Sequence, residues 1–227
     1  GRGMHRWVWD LRYAAPLSVT HGYPISAVPH ATPRGPEGPI ALPGSYRIRL
    51  TVDGRKFEAP LTLRQDPRVP LAAGALEEQL RLATQLGALL TESSRALLAA
   101  QSQQAQLKAL GTGGAAAQAV RDYATRLAAV AGPGKGEAEP APPARLPDVQ
   151  QHLATLYMEV TRADAAPTAA QLAATQASER ALAPLLAEWQ KLQADLPALN
   201  QGLRAAKLAP IRAQLPPPRD PNVADED

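Results

Sequence analysis

The side chains best suited to catalysis or metal binding are scattered along this 227-residue chain. Its histidines are His5, His21, His30 and His152. None of them follows the HxxxH or HExxH spacing of a zinc site. Ser18, His21 and Asp10 share the N-terminal region, but the GxSxG motif of a serine nucleophile is absent from the chain. We therefore predict no catalytic residue, no metal ligand and no cofactor.

Four basic residues stand where the polar face of a β-hairpin is expected. Arg47 and Arg49 alternate with apolar residues in the first predicted strand, and Lys56 and Arg64 lie in and just after the second. A stripe of positive charge would attract an anionic glycan or lipopolysaccharide. The alternative is a solvated face whose charges discourage edge-to-edge aggregation. We treat the four residues as candidate ligand or partner contacts.

Aromatic residues gather before residue 60 and suggest a second kind of binding. Tyr13 and Tyr23 are candidate contacts, since the flat face of an aromatic ring can stack on a sugar ring. Trp7 and Trp9 would join them only if they were exposed. Both tryptophans share one face of a strand predicted at residues 4–12, so alternation predicts that they are buried.

The clearest structural pattern is a period of two over residues 46–63. Apolar and polar residues alternate on both sides of Asp53-Gly54, a pair that favours a two-residue type I′ turn. Because Pro60 cannot donate a ladder hydrogen bond, we expect the second strand to lie at a sheet edge or to turn its missing donor toward solvent. The sequence therefore predicts a β-hairpin with one apolar face.

The hairpin and the strand at residues 4–12 predict a small antiparallel sheet, part of an immunoglobulin-like sandwich. This β unit would cover residues 1–66, and its connection at residues 14–41 is a proline-rich loop. A sheet with one apolar face needs a second layer to cover it. We expect upstream strands or the helices that follow to supply that layer.

Residues 71–206 have the apolar spacing of three, four and seven that is typical of packed helices. A linker rich in glycine and proline at residues 132–147 divides them. Pro184 and Pro197 should kink or break the last helix, because proline removes a helical donor. The prediction is an antiparallel bundle of up to four helices after the β unit, an α+β fold.

Composition excludes several classes of function. The formal charge of +3 is spread along the chain, so no nucleic-acid partner is predicted. Cysteine is absent, which excludes disulfides and thiol nucleophiles, and no apolar run reaches the roughly 20 residues of a membrane span. Because strand-like sequence follows Gly1 closely, we expect the chain to be a piece of a longer polypeptide. Its end at residues 216–227 is predicted to be disordered.

Four segments together resemble the C-terminal region of bacterial sortilin-like or Asp-box (BNR) repeat glycosyl-hydrolase-like proteins. They are GMHRWVWDLRY at 3–13, YPISAV at 23–28, TPRGPEGP at 32–39 and LPGSYRIRLTVDGRKFEAPLTLRQDPRV at 42–69. The resemblance implies a β-propeller upstream, an immunoglobulin-like module, a helical extension, and a secreted or periplasmic location. The Asp-box motif itself is absent from this chain, so no functional residue is carried over.

Three functions follow as hypotheses. The first is a non-catalytic accessory module that binds the upstream β-propeller, or a protein or glycan at the cell envelope. The second is a carbohydrate-binding module that uses the N-terminal aromatic residues. The third is a part of a glycosidase or sialidase whose active site lies upstream. Because a shared fold is weak evidence of function, the choice between them depends on which surfaces are exposed.

Overall fold

The computed structural model describes residues 3–4, 6–22, 35–110, 116–132 and 145–213. In these residues a two-stranded antiparallel sheet is followed by four α-helices. This confirms the predicted α+β fold class. The elements are β1 (Gly44–Val52), β2 (Arg55–Leu63), α1 (Ala75–Ala109), α2 (Ala117–Ala131), α3 (Leu146–Val160) and α4 (Ala169–Ala205).

β1 and β2 form the predicted hairpin, with Val52 opposite Arg55 next to the turn. The φ angles of Asp53 and Gly54 are 48° and 78°, both positive as a type I′ turn requires. Glycine adopts this conformation without a steric penalty, and aspartate tolerates it better than most residues. The resulting register places the alternating apolar residues of both strands on one face.

The third strand predicted at residues 4–12 is not present in the described part of that segment. Leu11 has a φ of 63°, which takes the backbone out of the β region. The indole Nε1 of Trp9 donates a hydrogen bond to the carbonyl oxygen of Arg12 at 2.9 Å, which bends the segment back. Pairing is limited to one bridge between Arg12 and Ile40. The predicted sandwich is therefore, in the described residues, a single two-stranded sheet.

Residues 13–22, which we name the strap, fasten the N-terminal region to the helices. The backbone N–H of Leu17 donates to Oγ1 of Thr91 in α1 at 3.1 Å. The buried amide of Gln150 in α3 donates to the Ser18 hydroxyl at 3.2 Å. Because a buried polar group is costly when unpaired, these bonds fix where the strap can lie. This part of the predicted proline-rich loop is therefore ordered by helix side chains.

α1 and α4 are the two longest helices, and they run in the same direction. Near the start of both, Nε2 of Gln85 donates to the Glu179 carboxylate at 3.4 Å. Further along both, Nε2 of Gln103 donates to Oε1 of Gln193 at 3.1 Å. Since residue numbers rise together in the two helices, their axes point the same way.

α3 runs antiparallel to α1. Gln79, near the start of α1, donates to the carbonyl oxygen of Val160 at the end of α3, at 2.7 Å. Ser94, later in α1, accepts a bond from Gln150 near the start of α3, at 3.2 Å. α3 begins within the linker that was predicted at 132–147, and the tail predicted at 216–227 lies outside the described residues.

Neither proline breaks α4, so the prediction of a break is wrong. Pro184 and Pro197 deprive the carbonyl groups of Arg180 and Gln193 of their helical donors. Both prolines lie on the exposed side of the helix, where water can hydrogen-bond to those carbonyl groups. The opposite side of α4 carries the buried leucines, which hold the helix against the bundle through both prolines.

The hydrophobic core belongs to the helices. No Cα atom of β1 or β2 comes within 8 Å of a described helix. The helices therefore do not form the second layer expected over the hairpin. Among the leucines that are almost fully buried in the bundle are Leu86, Leu90, Leu127, Leu146, Leu153, Leu182, Leu192 and Leu203.

Candidate functional site

The apolar face of the hairpin is exposed over most of its length. Leu50 and Phe57 are cross-strand partners, and they are 59% and 55% exposed. Ile48 and Val52 on the same face are about half exposed. Burial of these side chains would be favourable, because it would remove apolar surface from water. Over this part of its length the face has the residues of a packing surface, but no described residue packs on it.

The other end of this face is covered by aromatic residues of the N-terminal region. The rings of Trp9 and Tyr46 meet edge to face, with centroids 5.8 Å apart. The Tyr46 hydroxyl donates to the carbonyl oxygen of Leu42 at 2.7 Å. Desolvation, and then the neighbouring Tyr13 hydroxyl, raise the pKa of Tyr46. The uncovered part of the face therefore lies toward the turn.

The opposite face of the hairpin carries the predicted basic stripe. Arg49 and Arg47 both bond to the carboxylate of Glu58, at 2.7 and 3.3 Å. Lys56 lies on the same face, and the exposed Arg64 follows the end of β2. Two arginines and one lysine against one glutamate leave this face of the strands positively charged. Because these ion pairs are exposed, they contribute little to stability. The surplus positive charge is exposed as well, so a partner can reach it.

The two candidate tyrosines do not join this stripe. Tyr13 is 47% exposed and stands beside Tyr46, on the side of the apolar face. Tyr23 lies outside the described residues. The predicted burial of the tryptophans is wrong for Trp7, which is 77% exposed, while Trp9 is half-buried. Burial was predicted from strand alternation, and the segment does not form that strand.

A second surface was not predicted from the sequence. It is a groove of about 1190 Å³ between α1 and α4, with the strap at one side. Tyr13, Tyr157 and Trp189 line it, and the Tyr157 ring and Pro16 of the strap lie beside Gly87 of α1. The signal that could have indicated it is a run of small residues on one side of α1. These residues are Ala83, Gly87, Ala88, Ala96 and Ala99.

The side chains considered for serine-type catalysis have structural partners. The Ser18 hydroxyl donates to the carbonyl oxygen of Thr20 at 2.6 Å and accepts from Gln150. The Asp10 carboxylate accepts the backbone N–H of Arg12 at 3.0 Å, as expected for a residue that stabilises a bend. Within the described ranges, no three histidine or acidic side chains come together as a metal site. These groups therefore offer no assembled reactive centre.

The largest pKa shifts among the described residues also come from packing. Burial raises the pKa of Tyr123 to about 12, where its hydroxyl donates to Oε1 of Gln103 at 2.9 Å. Burial likewise raises the pKa of Tyr157, whose hydroxyl donates to the carbonyl oxygen of Glu37 at 2.7 Å. At the surface, the guanidinium of Arg68 lowers the pKa of Asp66. Each shifted group holds two segments together or pairs with a near neighbour.

A search for membrane-spanning helices and three comparisons with known proteins complete the description of the site. Of the helices that the structure describes, none is long and apolar enough to cross a lipid bilayer. The chain matches no protein-family model, no curated protein and no solved structure.

Proposed function

We propose that this chain is a non-catalytic interaction module that binds a partner through the apolar face of its hairpin. The observation that carries the proposal is the exposure of Leu50 and Phe57 in the middle of a regular strand pair. The part of this face that is open to solvent lies toward the turn and contains Ile48, Leu50, Val52 and Phe57. Neighbouring apolar side chains that are exposed together are candidates for an interaction surface.

The rest of the molecule supports this reading. The helices bury most of their leucines without help from the hairpin, so the hairpin is available to a second protein. Following the family resemblance, we propose the upstream β-propeller as a partner, in a secreted or periplasmic protein. Any glycosidase activity would then belong to that upstream part.

Site-specific photo-crosslinking tests the proposal. A photoreactive amino acid is placed at Phe57, and the chain is expressed in the cells that naturally produce it. We expect one discrete adduct, identified by mass spectrometry as a protein or as the upstream part of the same polypeptide. The control position is Gln176, which is exposed on α4. Equal adduct yield at the two positions would contradict the proposal, and so would hydrolysis of any glycoside or peptide by the isolated chain.

A second candidate, carbohydrate binding, gains support from one observation. Trp7 is 77% exposed, whereas its predicted burial argued against sugar stacking. Tyr13 supplies a further exposed ring. Titration with a panel of oligosaccharides, followed by tryptophan fluorescence, tests this function. A response should be lost in Trp7→Ala and kept in Trp189→Phe, which alters a buried tryptophan of the bundle. A flat titration across the panel would exclude it.

A further inference from the structure

The outer edge of β1 has backbone hydrogen-bonding groups that find no partner among the described residues. In a hairpin closed by a two-residue turn, Val52 and Arg55 exchange backbone bonds, and every second residue then points its N–H and C=O away from the partner strand. No hydrogen bond joins these outward groups of β1 to any described residue. All four residues concerned are exposed. They are Ser45, Arg47, Arg49 and Thr51.

The outer edge of β2 is interrupted. By the same alternation its outward residues include Lys56, Glu58, Pro60 and Thr62. Pro60 has no N–H, so a strand added at this edge would lose a ladder bond at its centre. β1 therefore offers the hairpin's one uninterrupted edge, in the part of the chain that the structure describes.

A strand added to β1 would meet two different faces. Every second side chain would extend the apolar face beside Ile48 and Leu50. The side chains between them would lie beside Arg47 and Arg49, whose positive charges share the single carboxylate of Glu58. Acidic side chains at those positions match the surplus charge.

The β1 strand of a second copy of this chain does not match this positive charge. Antiparallel pairing of β1 with β1 of another copy would bring the Arg47 and Arg49 side chains of both copies together. Like charges opposite one another destabilise a strand pair. The arginines thus disfavour self-pairing while they attract an acidic strand, which is how edge charges give specificity in sheets.

We propose that the outer edge of β1 binds an extended polypeptide segment as a third strand, and that this segment alternates apolar with acidic residues. The proposal rests on the interaction function above and names the partner's chemistry. Strand addition of this kind takes its affinity from main-chain hydrogen bonds and its specificity from alternate side chains. The added strand would also widen the apolar face that the hairpin leaves exposed.

The first test uses a fluorescent synthetic peptide of alternating glutamate and valine, about nine residues long to match β1. Its binding to the full chain is measured by fluorescence anisotropy. Thr51→Pro removes one outward donor of β1 without a change in charge, and we expect affinity to fall about tenfold or more. Thr62→Pro is the matched control, because it makes the same change on the edge of β2. Equal loss in both variants, or in neither, would overturn the proposal.

The second test leaves the protein unchanged, so it does not depend on how a variant folds. Peptides are N-methylated either at every valine or at every glutamate. A strand that pairs along one edge loses affinity in one of these peptides and keeps it in the other, because alternate N–H groups point in opposite directions. Equal affinities would overturn strand addition. A lysine-for-glutamate peptide should bind about tenfold more weakly, and comparable binding would overturn the acidic preference.

These outcomes separate the strand-addition proposal from the interaction function. A specific crosslink at Phe57 without any edge-dependent peptide binding would overturn strand addition alone. The absence of both would overturn the two proposals together. If the chain is dimeric and Thr51→Pro makes it monomeric, the edge pairs with a second copy, and the acidic partner is wrong.

Discussion

The bundle and the hairpin use the same apolar residue types in opposite ways. In the bundle, Leu86 and Leu127 are 0% exposed, and the amides of Gln103 and Gln150 have bonded partners. In the hairpin, Leu50 is mostly exposed, and one strand edge has no described partner. The comparison shows that an apolar pattern in the sequence indicates only which face of a helix or strand can be buried. Whether that face is buried depends on a second surface. The helices provide one for each other, whereas most of the hairpin's apolar face has none among the described residues.

The largest expected difference between the two regions comes from a matched pair of leucine truncations. Leu86→Ala should lower the free energy of unfolding by about 2–5 kcal/mol, because it leaves a cavity in a closed core. Leu50→Ala should change it by less than about 0.5 kcal/mol, as for other exposed sites. Urea unfolding followed by far-ultraviolet circular dichroism measures both. Similar losses for the two variants would mean that the hairpin face is covered in solution.

The next effect concerns the hydrogen bonds that join the strap to the bundle. Gln150→Leu leaves the hydroxyls of Ser18 and Ser94 without this buried partner and should cost about 1–3 kcal/mol. The exposed neighbour Gln151 provides the control, since Gln151→Leu touches none of these groups. Urea unfolding gives the free energies, and limited proteolysis shows whether the strap loosens. Equal behaviour of the two variants would show that the strap does not depend on Gln150.

A smaller effect is expected at Tyr123, which links α2 to α1. At neutral pH, Tyr123→Phe should lower the free energy of unfolding by about 1 kcal/mol, since one buried hydrogen bond is lost. Burial holds the folded-state pKa at about 12, above the ordinary value of 10.0, so the folded state favours the neutral phenol. The difference in the free energy of unfolding between the wild type and Tyr123→Phe is therefore complete below pH 10 and declines as the pH rises through about 12. Urea unfolding of both proteins across this pH range measures that difference. A difference that does not change with pH would contradict the raised pKa of Tyr123.

The smallest effect is expected on the polar face of the hairpin. Glu58→Gln removes both arginine ion pairs, yet it should change the free energy of unfolding by less than about 1 kcal/mol, because the pairs are exposed. Thermal and urea unfolding at low and high salt would check this. The same change should strengthen binding of the glutamate-valine peptide, since the arginines lose their internal carboxylate. A large loss of stability would mean that the hairpin and bundle unfold as one unit.

Predictions from the sequence succeeded where the pattern is local. The alternation on both sides of Asp53-Gly54 predicted the hairpin, its turn type and its apolar face. Helical spacing over residues 71–206 predicted up to four helices, and the four described helices, from Ala75 to Ala205, lie within that range. These features depend on neighbours a few residues apart, which the sequence displays directly.

Predictions failed where a distant partner or a side chain decides the backbone. Alternation predicted a strand through Trp9, but a hydrogen bond from its ring and the positive φ of Leu11 bend the chain instead. Of the kink or break that was expected at Pro197, the break does not occur, because the proline lies on the exposed side of a helix that buried leucines hold in place. Tertiary packing can override local preference at such positions.

For the candidate site, the sequence identified the basic residues and their shared face but not their partners. That Arg47 and Arg49 share one carboxylate follows from the register that puts Glu58 opposite Arg49. The groove between α1 and α4 was not predicted, because the parallel course of these helices is set by contacts between residues about ninety positions apart.

The sequence by itself determined the fold class, the hairpin with its turn, the helical stripes and the positive face beside the apolar one. Only the tertiary structure decided that the helices cover each other, and that the hairpin and Trp7 stay open to solvent. The physical reason is that periodicity specifies the direction in which side chains point within one element. Burial requires two elements whose surfaces meet, and their meeting depends on residues far apart in the chain.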